Sequence, residues 1–341
     1  MKKFDKIMNT TLQPNYQFLS SGEKSILYTI SLLPQRFYTA KDIYSVFELN
    51  SNSDEGVKFF DTLHGLTKKG WLSFSKDSYK MPEGKRRLLY SFRLPDQHYF
   101  RRLAENVTKF FSRDNNIETV PVEVVENQVQ VATNILNNVL RPTKQVAILA
   151  RNFSNYYKRK KAIFLALKYS KIAVDFQIQL DDKDEDMCCF WAERAQLLHS
   201  SGKYHEAIST ALKALDLCYS DYDSFKRYGS KILSLGVLAA SYEKIGDYVK
   251  SLHYAEATLA LGKSHQLSAT LQHWMSFYNA GISYFHHFQF RKAWLYLVKA
   301  WAEYCDENNN KPKFFSKLTF RRNFYEFVYL ITKVFKFNKH Q

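Results

Sequence analysis

His286-His287 is the adjacent pair in a chain with ten histidines. Two imidazoles side by side can hold a metal or relay a proton. A zinc protease, however, needs HExxH on one helix, and nothing of that form accompanies the pair. No GxSxG nucleophile elbow occurs either. The four cysteines, Cys188, Cys189, Cys218 and Cys305, are one adjacent pair and two distant singles. That spacing matches neither a zinc site nor a disulfide framework. It fits reduced, mostly buried thiols of an intracellular protein. The acidic stretch DDKDEDM at 181–187 lacks the glycine and glutamate of an EF-hand in register, and its carboxylates suit a helix N-terminus. No catalytic, metal or cofactor site is expected, and the chain reads as a non-enzyme.

Positive charge is the stronger chemical signal. Lys and Arg number 49 against 33 Asp and Glu, a net charge of +16. Such a balance favours polyanions through counterion release, or an acidic protein surface. Aromatic residues make up 16%, with 27 Phe and 23 Tyr, whereas Gly and Pro number only 11 and 7. So few turn formers argue for long helices and against an all-β chain. No apolar run of roughly 18 residues is present, so no membrane span is expected. The N-terminus has the lysines of a signal peptide but no apolar stretch after them, and a cytoplasmic location is expected.

Two stretches repeat each other: GKYHEAISTALKAL at 202–215 and GDYVKSLHYAEATL at 246–259. Trp191, Ala195 and Leu198 precede the first glycine, and Tyr204, Ala207, Ile208, Ala211 and Ala214 follow it. Around Gly246 the same places hold Leu235, Ala239, Tyr242, then Tyr248, Ser251, Leu252, Ala255 and Thr258. Phe277, Gly281, Tyr284, Phe290, Ala293, Leu297 and Ala300 form a third unit. Ala150, Phe153, Ala162 and Ala166 form a weaker one, with Tyr157 in the glycine's place. Spacings of three and four give each helix an apolar face, and small residues let paired helices approach. A hairpin cannot bury such a face alone, so repeats at a fixed period must stack.

This pattern resembles the tetratricopeptide repeat (TPR), with helices lengthened beyond the usual 34-residue period. The resemblance implies that the first helix of each hairpin lines a concave groove. Transferred residue by residue, the groove candidates are Arg151, Asn155, Gln196, His199, Glu243, Lys244, Tyr278 and His286. Mixed polar and aromatic groups of this kind suit an extended peptide or a partner helix. The basic stretch FFSKLTFRRNFYEFVYLITKVFKF reads as a terminal capping helix.

Residues 16–95 have another rhythm. SSGEKSILYTISLLP opens as a capping box and stops at Pro34. TAKDIYSVF is a short helix capped by Thr39. DEGVKFFDTLHGLTKKG is a third helix, ending at Gly70. WLSFS and RRLLYSFRL read as two strands joined by KDSYKMPEGK. Three helices and a β-ribbon make the order of a winged helix. A winged helix ahead of helical repeats resembles the C-terminal part of STAND-type, NB-ARC-like signalling proteins, which implies an NTPase partner. The chain itself has no GxxxxGK[ST] loop. Where that family carries a Met-His-Asp-like motif, this sequence reads Leu94-Pro95-Asp96.

The expected organisation is therefore mainly α: a lead-in at 1–15, a winged-helix-like domain at 16–96, connecting helices at 97–142, a TPR-like α-solenoid at 143–310 and a capping helix at 311–341. The expected function is a regulatory or adaptor protein that binds a protein or peptide in the repeat groove, with the winged helix as coupling or output module. The alternative is a DNA-binding transcriptional regulator whose solenoid senses a peptide or partner. Its phosphate contacts would come from Lys58, His64, Lys68 and Lys69 on the third helix and Lys76, Lys80, Lys85, Arg86 and Arg87 on the wing. Lys158-Arg159-Lys160-Lys161, at a hairpin turn, would extend that surface. No membrane partner is expected.

Overall fold

A computed structural model describes residues 16–36, 38–47, 49–90, 98–112, 115–138, 142–180, 186–218, 225–264 and 272–307. The expected lead-in, the capping helix, Leu94-Pro95-Asp96 and most of the acidic stretch at 181–187 lie outside them. The chain divides into two compact units, Met1–Phe190 and Trp191–Gln341.

The first unit begins with α1 (Ser21–Leu32), β1 (Tyr38–Thr39), α2 (Ala40–Val46), α3 (Asp54–Lys68), β2 (Ser73–Ser75) and β3 (Ser78–Lys80). Each start has a local cause. The Glu23 amide donates to Ser20 Oγ and the Ser20 amide donates to the Glu23 carboxylate, closing a capping box. Thr39 and Asp42 do the same for α2. Ser53 caps α3 through the Gly56 amide. At Gly56 a Cβ would lie 2.1 Å from the Asn50 carbonyl oxygen, so only glycine fits. Gly70, at φ +73°, ends α3 in the left-handed conformation. The three strands are antiparallel in the order β1-β3-β2, with Tyr38 opposite Tyr79 and Phe74 opposite Tyr79. Leu27, Leu32, Ile43, Phe47, Phe59, Leu63, Leu66 and Trp71 form the core.

One expectation is corrected here. The return strand lies at Ser78–Lys80, inside the stretch read as a connector, and residues 86–90 of the expected strand belong to helix α4 (Glu83–Tyr90). Lys76 and Asp77 both adopt positive φ, 48° and 57°, which turns the ribbon in two residues. Pro82 then accepts from the Lys85 and Arg86 amides and opens a helix. Met81, Arg86 and Leu89 are buried, and the three-residue step from Arg86 to Leu89 is helical.

An irregular helical pair follows: α5 (His98–Phe110) and α6 (Val122–Asn138), separated by a 3-10 turn at Ile117–Thr119. Both pack on α1, and the Asn134 amide donates to the Leu32 carbonyl at the end of α1.

Four helical hairpins complete the described chain: α7 (Lys144–Arg159) with α8 (Ile163–Gln179) in the first unit, then α9 (Asp186–Ser200) with α10 (Tyr204–Cys218), α11 (Phe225–Lys244) with α12 (Tyr248–Ser264), and α13 (Gln272–His286) with α14 (Phe290–Glu307). Their turns share one hydrogen-bond pattern. Gly202 N–H donates to His199 O and Lys203 N–H to Leu198 O; Gly246 and Asp247 bond Glu243 and Tyr242 likewise. Phe288 and Gln289 repeat it on Phe285 and Tyr284, and Lys161 and Ala162 on Lys158 and Tyr157. These are Schellman turns, with Lys161, Gly202, Gly246 and Phe288 at φ 60°, 81°, 86° and 57°. The glycine's place in the weak unit is thus held by Lys161. Tyr157, read there from the sequence, supplies the carbonyl that closes the turn.

At matching places on either side of each turn sit two small residues: Ser154 and Ala166, Ala195 and Ala207, Ala239 and Ser251, Gly281 and Ala293. Seven of the eight have no more than 3% exposure, and Gly281 is buried as well. Ser154 Oγ donates to Ala166 O at 2.8 Å, and Ser251 Oγ donates to Ala239 O at 2.9 Å. In the second unit α11, α12, α13 and α14 pack in succession, and α11 also meets α13. Their core joins Ala239, Ala255, Leu259, Phe277, Ala280, Tyr284, Phe285, Ala293 and Ala300.

Candidate partner groove and basic surfaces

In the second unit α9, α11 and α13 carry Gln196 and His199, Glu243 and Lys244, and Tyr278 and His286. His199 lies at the end of α9, with Nδ1 2.9 Å from Ser241 Oγ of α11 and its ring against Tyr204. Burial pushes this imidazole below its ordinary pKa; Lys244 adds to the effect and Glu243 opposes it. His286 stacks on Tyr248 at 4.0 Å between ring centroids and 10° between planes. Burial lowers its pKa, Glu243 opposes, and His287 and Lys244 reinforce it. Lys244 Nζ reaches the Glu243 carboxylate at 3.4 Å. Four of the expected residues, His199, Glu243, Lys244 and His286, therefore belong to one electrostatic neighbourhood at the C-terminal ends of three helices. Tyr278 is 43% exposed farther up α13, and Gln196 is half-buried.

Sequence reasoning missed the residues that hold this edge. Ser241 fixes His199, Tyr248 stacks on His286, and a ring nitrogen of His287 lies 2.9 Å from the Tyr248 carbonyl. Beside Tyr278, the Asn279 amide donates to the Gly236 carbonyl, tying α13 to α11. In the first unit the Asn152 amide ties α7 to α5 in the same manner, on Thr108 O. Arg151 of α7 lies over the Phe190 ring at 5.3 Å, and Asn155 is half-buried.

The nucleic-acid candidates do not assemble as expected. Lys58, His64 and Lys68 are exposed on α3, and Lys76 is exposed at the β2–β3 turn. Lys69 is engaged with Glu23 at 2.6 Å. Burial alone would raise the Glu23 carboxyl, but hydrogen bonds from Lys69 and the Ser20 amide outweigh it and hold the group below its ordinary value. Lys80 is half-buried on β3. Lys85, Arg86 and Arg87 stand on α4, away from the ribbon's turn, because the return strand ends at Lys80. Lys85 lies over the Trp71 ring at 5.6 Å and is pushed down by burial. Arg86 is 7% exposed, with Glu83 at 4.0 Å, and its Nε has no hydrogen-bond partner. Arg87's side chain lies outside the description. The outward face of α3 also carries Val57, Phe60 and Asp61, with Phe74 of β2 edge-on to His64.

Cys188, Cys189 and Cys218 are buried, as the sequence implied; the Cys305 side chain is outside the description. Among the described residues no three His, Cys, Asp or Glu side chains could hold a metal ion, and no helix is long and apolar enough to cross a membrane.

The hairpins are TPR-like. Their shared turn and small crossing residues carry that statement. No known protein family matches the sequence, and no curated protein does. Among solved structures, a Podosopora anserina kinesin light chain with nearly identical TPR-like repeats is similar over 61% of this chain and 96% of its own, at 14% identity and a TM-score of 0.46. A Rap protein complexed with competence and sporulation factor matches over 66% of this chain and 59% of its own, at 15% identity and 0.48. A STAND protein with a tetratricopeptide repeat sensor from Pyrococcus horikoshii matches over 88% and 53%, at 16% and 0.25. This chain thus spans about 60% of the length of the Rap structure.

Proposed function

We propose that the chain is a non-enzymatic regulatory or adaptor protein that binds a peptide or protein segment on the first helices of its TPR-like hairpins. The carrying observation is the row formed by His199, Glu243, Lys244 and His286, with Gln196 and Tyr278 nearby. Ser241 holds His199 and Tyr248 holds His286, and none of the four row residues is fully buried. Both charge signs and a half-exposed tyrosine suit main-chain and side-chain contacts along an extended peptide. The helix and strand order of the N-terminal part supports reading it as a winged helix that couples the repeats to an output, with an NTPase as the partner that reading suggests. DNA binding is the second reading. It rests on exposed Lys58, Lys68 and Lys76, and buried Arg86 weakens it.

A peptide library selected on the full chain tests the first reading. Selected peptides should lose about tenfold in affinity or more when Lys244→Glu and Tyr278→Ala are combined, by the usual weight of a few central contacts. Selected peptides that bind the double variant as tightly as the parent chain would place the ligand surface elsewhere.

A further inference from the structure

The turn between α7 and α8 reads Lys158-Arg159-Lys160-Lys161 and leads directly into Ile163, Phe164 and Leu165. Phe164 is 89% exposed and Leu165 40%. Arg159, Lys160 and Lys161 are exposed, as are Lys168 and Lys171 on the following turns of α8. Among the described residues no carboxylate pairs with Arg159, Lys160 or Lys161.

Turn geometry does not ask for this charge. The three sister turns close with the same two hydrogen bonds and read His-Ser-Ser-Gly, Glu-Lys-Ile-Gly and Phe-His-His-Phe at corresponding places. Two of them place glycine at the left-handed residue. Here Lys161 occupies it, at φ 60°, a conformation that costs a side chain roughly 1–2 kcal/mol. The chain thus carries a fourth cation where the backbone favours none.

The geometry points to the α7–α8 turn as a docking site for an anionic lipid surface. Arg159, Lys160 and Lys161 follow one another along the turn, and Lys168 and Lys171 add two more exposed cations on α8. The exposed Phe164 beside them favours a lipid surface over other polyanions. Duplex nucleic acid offers an exposed phenyl ring little apolar surface, a thymine methyl or an unstacked base step. A bilayer interface takes up an apolar group beside basic ones without a preformed pocket. Each Lys or Arg near an anionic leaflet contributes roughly a fivefold gain in partitioning. The contact is adsorption, so the absence of a crossing helix among the described residues stands; it departs from the sequence expectation of no membrane partner.

The test is co-sedimentation of the full chain with phosphatidylcholine vesicles and with phosphatidylcholine–phosphatidylserine vesicles. Binding should require phosphatidylserine. K160E with K161E should lower partitioning by at least about 25-fold at low salt. K68E with K76E makes the same change in net charge elsewhere and should have little effect. Phe164→Ala, at a position 89% exposed, should weaken binding while leaving the fold intact by circular dichroism. The proposal is overturned by absence of phosphatidylserine-dependent binding, by equal loss in the two charge pairs, or by a turn that retains polyglutamate or duplex DNA but not vesicles.

Discussion

Single residues show how little a side chain's type says without its neighbours. His199 and His286 were legible as groove candidates because each falls in the last turn of the first helix of its hairpin, one place apart in the shared frame. Their partners Ser241 and Tyr248 both lie on the α11–α12 hairpin, between the two histidines' own hairpins, and no local spacing announces them. Arg86 shows the converse. Its basic neighbours suggested a phosphate contact, but a buried guanidinium with a carboxylate at 4.0 Å is packed, not presented. The histidines carry a pH dependence. Burial holds both folded pKa values below the ordinary value near 6.5. Above that value both states are neutral and nothing is lost. As pH falls below it, the unfolded chain takes up protons first, so stability declines until the folded values are reached. Melting temperature should therefore drop from about pH 7 to about pH 5.5, and drop less in His286→Phe, which keeps a ring on Tyr248. An equal drop in the variant would remove His286 from the account.

Elements were legible where a capping residue or a glycine marks an end. Ser20, Thr39 and Gly70 bound their helices where the sequence placed them. The failures share a cause: the marker was absent or read too strongly. Lys161 takes a left-handed conformation without being glycine, so the first hairpin's frame was set on Tyr157. The three-residue strand Ser78–Lys80 is too short to show alternation, while Leu88, Leu89 and Tyr90 have the composition of a strand and stand in a helix started by Pro82. Glycines inside helices give a prediction at this scale. At Gly65 of α3 an added Cβ meets nothing within 4 Å, so Gly65→Ala should stabilise by about 0.5–1 kcal/mol through helix propensity. At Gly281 of α13 the Cβ would lie 2.7 Å from Leu297 Cγ and 3.2 Å from Ala293 O. There overpacking should outweigh propensity and destabilise by roughly 1–2 kcal/mol. Urea unfolding midpoints decide both, and a stabilised Gly281→Ala would mean that α13 and α14 separate more easily than their contact suggests.

Over the whole molecule, a charge of +16 will draw polyanions whatever the fold does with it. The useful question is whether binding is located. Fluorescence anisotropy of a generic duplex should show weak binding that falls steeply with salt. It should diminish with Lys58→Glu, Lys68→Glu and Lys76→Glu combined, and barely change on Lys85→Ala. Sub-micromolar binding that depends on Lys85 at moderate salt would restore the DNA-regulator reading.

The hydroxyl that ties paired helices together has one further consequence. It comes from the first helix at Ser154 and from the second at Ser251, and each time reaches the opposite backbone. In these two hairpins the tether is a relation between two positions, satisfied from either end, while Ala195–Ala207 and Gly281–Ala293 at the same places carry no hydroxyl. An idealised repeat assembled by choosing the commonest letter at each position separately would write alanine twice and lose the tether. Serine chosen twice would instead bury a hydroxyl in search of a partner. A faithful consensus for this repeat has to be written in pairs.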